Sequence, residues 1–230
     1  MAATFIMKLN VKSYRYIKEY IQEGDVLLFR GEGFFSKLIS STEQTPYTHV
    51  ALASWPSGNA SQDEILECVE FREGSLFGSL FGGNSGGGGR CVNLAQEVQK
   101  YKRQIDVYRP DPNFYSYDLD DYGTNLVQNV KDFDGKQVTN IMRSLTGLPY
   151  GWKRIYWMAK HKLLALRFMV DMDDLISDST GDIIYPVCST AVAYCFNKCG
   201  YDLVRNRSDQ WTEPGDIARS VKLNYLFTLK

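Results

Sequence analysis

A cysteine attacks a carbonyl carbon only as its thiolate, so a catalytic cysteine needs surroundings that bring its pKa down from about 8.5. Among the five cysteines of the 230-residue chain, Cys188 stands where a sequence can create such surroundings. It follows Pro186-Val187 and opens the run Cys188-Ser-Thr-Ala-Val-Ala-Tyr-Cys-Phe-Asn-Lys-Cys199, which has helical spacing and stops at Gly200. At a helix N-terminus the unpaired N–H groups and the macrodipole favour negative charge, both on a sulfur and on an oxyanion formed beside it. Val192, Cys195 and Cys199 share one apolar stripe further along the same helix, where burial keeps a thiol protonated and inert.

A thiol also needs a base. The chain has two histidines: His49 begins the apolar run Thr48–Ala53, whereas His161 lies between Lys160 and Lys162. His49 is the better base, and a neutral imidazole needs a third polar group to hold its tautomer. Glu67, in the next strand-like run Glu64–Phe71, is the candidate, with Glu64 and Glu70 as alternatives whose phase the spacing leaves open. The structural reading stands beside the catalytic one. A histidine on an apolar strand is commonly a satisfied core residue, and a helical cysteine commonly a small packing side chain.

Other chemistry finds less support. No pair among Cys68, Cys91, Cys188, Cys195 and Cys199 has the close spacing of a zinc finger or ribbon. The aspartates at 118, 120, 121, 171, 173 and 174 read as solvated turns, and Asp132-Phe-Asp134-Gly135 copies only the middle of an EF-hand loop. Six glycines between Gly82 and Gly89 lack the lysine and hydroxyl of a phosphate-binding loop and read as a mobile surface loop. No metal or cofactor is expected. A net charge of -1 supplies no whole-molecule field toward nucleic acid, so no such partner is expected either.

The elements that must position Cys188 and His49 follow from periodicity. Val11–Gln22 has helical spacing, Gly24-Asp25 ends it, and Val26–Phe29, Thr48–Ala53, Glu64–Phe71 and Gln104–Tyr108 read as strands. Phe34–Ser41 reads as a short helix, Asp111–Asp134 as an irregular acidic and aromatic insertion, and Lys136–Leu145 as a helix stopped by Gly147 and Pro149. From Trp152 a longer amphipathic helix carries Lys153, Lys160 and Arg167 on one face. Residues 152–170 would thus suit a membrane surface, the ordinary alternative being a solvated basic face over a core helix. The N-terminal residues lack the apolar core of a signal peptide, and no stretch is long enough to span a bilayer. An odd number of thiols without scaffold spacing fits a reducing compartment, so the expectation is a cytoplasmic protein of one domain, residues 1–230.

Taken in order, Gly24-Asp25-Val-Leu-Leu-Phe, Arg30-Gly31, Tyr47-Thr-His49-Val-Ala-Leu, Ile65-Leu-Glu67, Leu148-Pro-Tyr150 and Val187-Cys188-Ser-Thr resemble the successive motifs of the circularly permuted NlpC-type, YiiX-like branch of the papain-like cysteine peptidases. The resemblance runs from Gly24 to Gly200. It implies an α+β, papain-like (NlpC-type) fold, in which an antiparallel sheet or partial barrel packs on a nucleophile-bearing helix that follows the strands instead of preceding them. It also implies Cys188 as nucleophile, His49 as base, Glu67 as the residue orienting His49, and Tyr150 as a hydroxyl near the oxyanion. The implied reaction is cleavage of an amide, peptide-like bond through an acyl-enzyme. Relatives also include lipid-directed acyltransferases, and a fold retained only for binding is the non-enzymatic alternative. This chain departs from the pattern by insertions near 72–90, 110–135 and 152–180, which would shape a cleft for a peptide-like or acyl substrate.

Overall fold

The computed structural model describes residues 14–31, 45–61, 63–72, 87–111, 115–119, 125–129, 133–150, 187–204 and 207–229. It begins with a short helix α1 (Tyr14–Ile17), extended by a 3-10 turn over Lys18–Tyr20. Gly24 then turns the chain at φ +83°, and a Cβ there would stand 2.7 Å from the Cα of Gly135, so the turn packs directly on the start of a later helix. Strands β1 (Val26–Arg30), β2 (Tyr47–Ser54), β3 (Glu67–Arg72) and β4 (Gly88–Asn93) follow, then α2 (Leu94–Lys100) and β5 (Ile105–Pro110). A separate hairpin pairs β6 (Tyr115–Leu119) with β7 (Asn125–Asn129). Helices α3 (Gly135–Ser144), α4 (Cys188–Lys198) and α5 (Pro214–Ala218) precede the last strand, β8 (Leu223–Thr228).

The main sheet has six strands in the order β4-β3-β2-β1-β5-β8, each pair antiparallel. Its central strands are apolar on both faces, which is why Val26–Phe29 and Val50–Ala53 are continuous apolar runs and do not alternate. Val26, Leu28, Val50, Leu52, Val69 and Phe71 pack with Val138 and Met142 of α3 and with Ala191, Val192, Cys195 and Phe196 of α4. Leu27, Phe29, Ala51, Ala53 and Cys68 face the other way, onto Ile17, Ile21, Trp55, Leu94 and Val98. Burying a side chain such as Leu28, Phe29 or Phe196 contributes about 1.5–3 kcal/mol, so β1 and β2, covered on both sides, form the rigid middle of the molecule. α4 ends as its sequence implies: Gly200 adopts φ +76°, and the N–H groups of Gly200 and Tyr201 close on the carbonyls of Asn197 and Phe196.

Several expectations change. The α+β class and the antiparallel sheet hold, and β1, β2, β3 and β5 sit within a few residues of their sequence patterns, while β4 and β8 were not expected as strands. Residues 111–134, expected to be irregular, contain the β6–β7 hairpin. The end of the glycine-rich run is not loop, because Gly88 and Gly89 begin β4 opposite Arg72 and Phe71. A side chain at Gly88, which has φ +146°, would meet the carbonyl of Leu148, while a Cβ at Gly89 would lie 2.5 Å from the carbonyl of Leu145 and 2.9 Å from the Phe71 ring. These glycines let the segment after α3 dock edge-on: Gly89 N–H donates to Leu148, Gly147 N–H donates to Gly89, and Pro149 bridges Gly88. The expected helix at 34–41, the 152–170 helix with His161, and glycines 82–86 lie outside the described residues. Among the described residues no helix is long and apolar enough to cross a membrane.

Gly89→Ala is therefore expected to destabilise the protein by about 1–3 kcal/mol, read as a lower denaturation midpoint. A stability equal to that of the unsubstituted protein would mean that the 145–149 segment does not dock on β4.

Candidate active site

Where β2 stops pairing with β3, the sheet leaves a gap that the tip of α4 fills. The N–H of Ala53 donates to Asp25 on the β1 side, so by antiparallel alternation Leu52 and Val50 point their N–H groups toward β3. Pairing with β3 ends at Ala51↔Glu70, one residue short of Val50. The N–H of Val50 donates instead to the sulfur of Cys188. On the helix side the N-cap residue is Val187, whose side chain has no oxygen to accept first-turn N–H groups. One of these, from Ser189, also donates to the sulfur. Thr190 Oγ1 accepts the Val187 N–H at 2.9 Å and fixes the approach to the helix.

His49 stands on β2 on the same face as Ala51 and Ala53, its ring edge-on to Phe29 with centroids 4.9 Å apart. Its Nε2 lies 2.7 Å from Oε2 of Glu70, and the ring is hydrogen bonded to Cys188, which leaves Nδ1 for the sulfur. The imidazole is 12% exposed and the Glu70 side chain fully buried. Burial opposes charge on His49, but the Cys188 sulfur and then Glu70 outweigh it and raise the imidazole to about 9. Burial likewise opposes the thiolate, yet His49 and the N–H groups of Val50 and Ser189 bring the Cys188 pKa below its ordinary value. Glu70, which burial alone would push up, is held at about 2 by His49, Arg72 and Arg90. Cys188, His49 and Glu70 thus stand in one chain in which each group favours the charged form of its neighbour. Burial pushes the thiols of Cys68, Cys195 and Cys199 up, so the described surroundings activate only Cys188.

Of the residues singled out in the sequence, the fold brings His49 and Cys188 together and turns Glu67 away. Glu67 pairs with Ser54, five positions along β2 from His49, and binds Arg143 at 2.5 Å. Glu70 is three residues on, hence on the opposite face of β3, the face it shares with Cys68 and His49. The carboxylate that meets His49 is the one flanked by Val69 and Phe71, and a charge between two core residues was the signal that a buried partner exists. Tyr150 is half-buried and packs against the cluster that contains Cys188, and the docking of Pro149 on Gly88 sets its place. Arg72, Arg90 and Glu97, not singled out beforehand, surround Glu70. Among the described residues no group of three or more His, Cys, Asp or Glu side chains could hold a metal ion.

This geometry makes two carboxylates distinguishable. Iodoacetamide should alkylate Cys188 at about pH 6 at least tenfold faster than a free thiol, which is less than about 1% thiolate there. Glu70→Gln should slow that reaction by about tenfold, one pKa unit's worth of ion-pair stability, while Glu67→Gln should leave it within about twofold. Peptide mass spectrometry reads both, and the reverse ranking would return the orienting role to Glu67.

No protein-family model matches the sequence, and no curated protein matches it. Among solved structures, the chain is similar to the crystal structure of the metalloprotein YiiX from Escherichia coli O157:H7. The TM-score is 0.52 and the identity 11%, with 89% of this chain and 96% of that chain covered. At so low an identity the likeness concerns the course of the backbone alone, and the chain has a YiiX-like fold.

Proposed function

We propose that the protein is a thiol hydrolase that cleaves an amide, peptide-like bond through an acyl-enzyme, using Cys188, His49 and Glu70 on a circularly permuted papain-like scaffold. The observation that carries this reading is the hydrogen-bonded chain from the Cys188 sulfur through His49 to the buried Glu70, placed at a helix N-terminus. The YiiX-like fold supports the scaffold, as does chain order, since the cysteine helix α4 comes after the histidine strand β2 and the carboxylate strand β3.

In this mechanism the thiolate adds to the carbonyl carbon, forming the C–S bond and moving an electron pair onto oxygen. The first-turn N–H groups of α4 and the Tyr150 hydroxyl receive that oxyanion. The His49 imidazolium gives its proton to the leaving amine as the C–N bond breaks. Neutral His49 then takes a proton from water, whose oxygen attacks the thioester, and release of the acid restores the thiolate and the imidazolium. Glu70 stays ionised throughout, holding the ring by Nε2 and stabilising its positive charge.

Incubation with aminoacyl p-nitroanilides and p-nitrophenyl esters should give a covalent acyl adduct on Cys188, seen by mass spectrometry, and release of the chromophore. Cys188→Ala should give neither. Because His49 must be protonated to serve the leaving amine, anilide turnover should fall as pH rises through about 9, while alkylation of the thiolate continues. Absence of any Cys188 adduct from either substrate class would defeat the hydrolase reading.

A further inference from the structure

We propose that Arg90 is a positioning residue of this site, acting through Glu70 to hold the imidazolium of His49 and thereby the thiolate of Cys188. The proposal rests on the thiol-hydrolase reading. Arg90 stands on β4 directly opposite Glu70, and its Nε and Nη2 donate to Oε1 at 2.8 and 2.5 Å. Oε2, the other oxygen, faces His49 at 2.7 Å. One carboxylate is thus gripped on both sides. Two N–H groups converge on Oε1 while Nε2 of His49 meets Oε2, so each oxygen has its own partner and the carboxylate is held facing the imidazole.

A fully buried carboxylate needs compensation whether or not its histidine is charged. His49 can supply it only while protonated, whereas a guanidinium is always charged. Arg72 is less suited: it lies 3.6 Å from Glu70, and its closer partner is Glu97 of α2, at 2.5 Å. Glu97 in turn lies 3.9 Å from Arg90. The groups around Glu70 are therefore His49 from β2, Cys68 and Arg72 from β3, Arg90 from β4, and Glu97 from α2, with Cys188 of α4 beyond the imidazole. Glu70 and Glu97 balance Arg72 and Arg90 charge for charge, so the histidine–cysteine ion pair sits in a neutral setting. Removing the Arg90 charge leaves an excess negative charge or a protonated Glu70. Either change raises the pH at which the thiolate forms. The glycines at 88 and 89 acquire a role here, since their docking on residues 145–149 fixes the strand immediately before Arg90.

The test is the pH profile of iodoacetamide alkylation at Cys188 in the full chain. Arg90→Gln is expected to move the midpoint of the acid limb up by about one pH unit, a tenfold loss of rate on its acid side. Arg90→Lys, which keeps the charge but not the fork, should move it by less. An acid limb that keeps its midpoint in Arg90→Gln, with or without a lower melting temperature, overturns the proposal and leaves Arg90 a purely structural residue. If Arg90→Gln does not fold, Arg90→Lys decides, and an unmoved midpoint there overturns it equally. A failure of the underlying reading is distinguishable: the acid limb of the unsubstituted protein would then lie where a free thiol titrates, near about 8.5.

Discussion

A carboxylate without access to water must be compensated, and the buried charge of Glu70 organises much of this molecule. Leaving such a charge unpaired costs several kcal/mol. The fold meets that demand with His49 on one oxygen and Arg90 on the other, and with Arg72 and Glu97 close by. Three neighbouring strands and α2 each contribute to one ionic cluster. Register between β2, β3 and β4 is consequently tied to the site, because a slip of one residue would turn Glu70 toward the helices and strand its charge in hydrocarbon. The same interaction that could make His49 a competent acid and base thus also specifies how the sheet is assembled.

Cys188 reaches this cluster because one ladder ends early. Beyond Ala51↔Glu70 the N–H of Val50 has no strand to bond, and an unsatisfied backbone donor inside a protein is itself costly. The sulfur of Cys188 accepts it, together with the Ser189 N–H. Packing holds α4 at this place: Val192, Cys195 and Phe196 sit against Val50, Leu52 and Met142 in one core. The helix axis is set by hydrocarbon contacts, and its tip by the Val50 N–H and the His49 imidazole.

Other carboxylates, Asp25 and Asp106 buried and Glu23 partly so, tie the frame together. Asp25 receives a two-pronged ion pair from Arg109 at the turn that launches β1. Glu23, in the same turn, takes bonds from Ser54, Trp55 and Thr139, tying the end of β2 to α3. Asp106 on β5 accepts from Arg30, Tyr47 and Thr228, which spans four adjacent strands and anchors the β2 residue two positions before His49. Each of these carboxylates has several donors, the condition under which burial of charge is tolerated.

Much of this was legible in the sequence. A cysteine after Pro186-Val187 at the head of an apolar helical run, and a histidine at the start of an apolar strand, are local patterns, and local patterns suffice because helix dipoles and strand alternation are properties of a few consecutive residues. The strands at 26–30, 47–54, 67–72 and 105–110 and the helices at 135–144 and 188–198 declared themselves in the same way. What the sequence could not decide was which glutamate meets His49. Glu67 and Glu70 lie on one strand with opposite faces, and the choice depends on the register between β2 and β3, which is set by the core between sheet and helices. The partnership of Glu70 with Arg90 and the docking of residues 145–149 on Gly88 and Gly89 likewise join positions far apart in the chain. Sequence by itself determined which residue types stand at the reactive ends of their elements; only tertiary packing decided which of them touch, because contact across strands is fixed by register and burial and leaves no periodic trace along the chain.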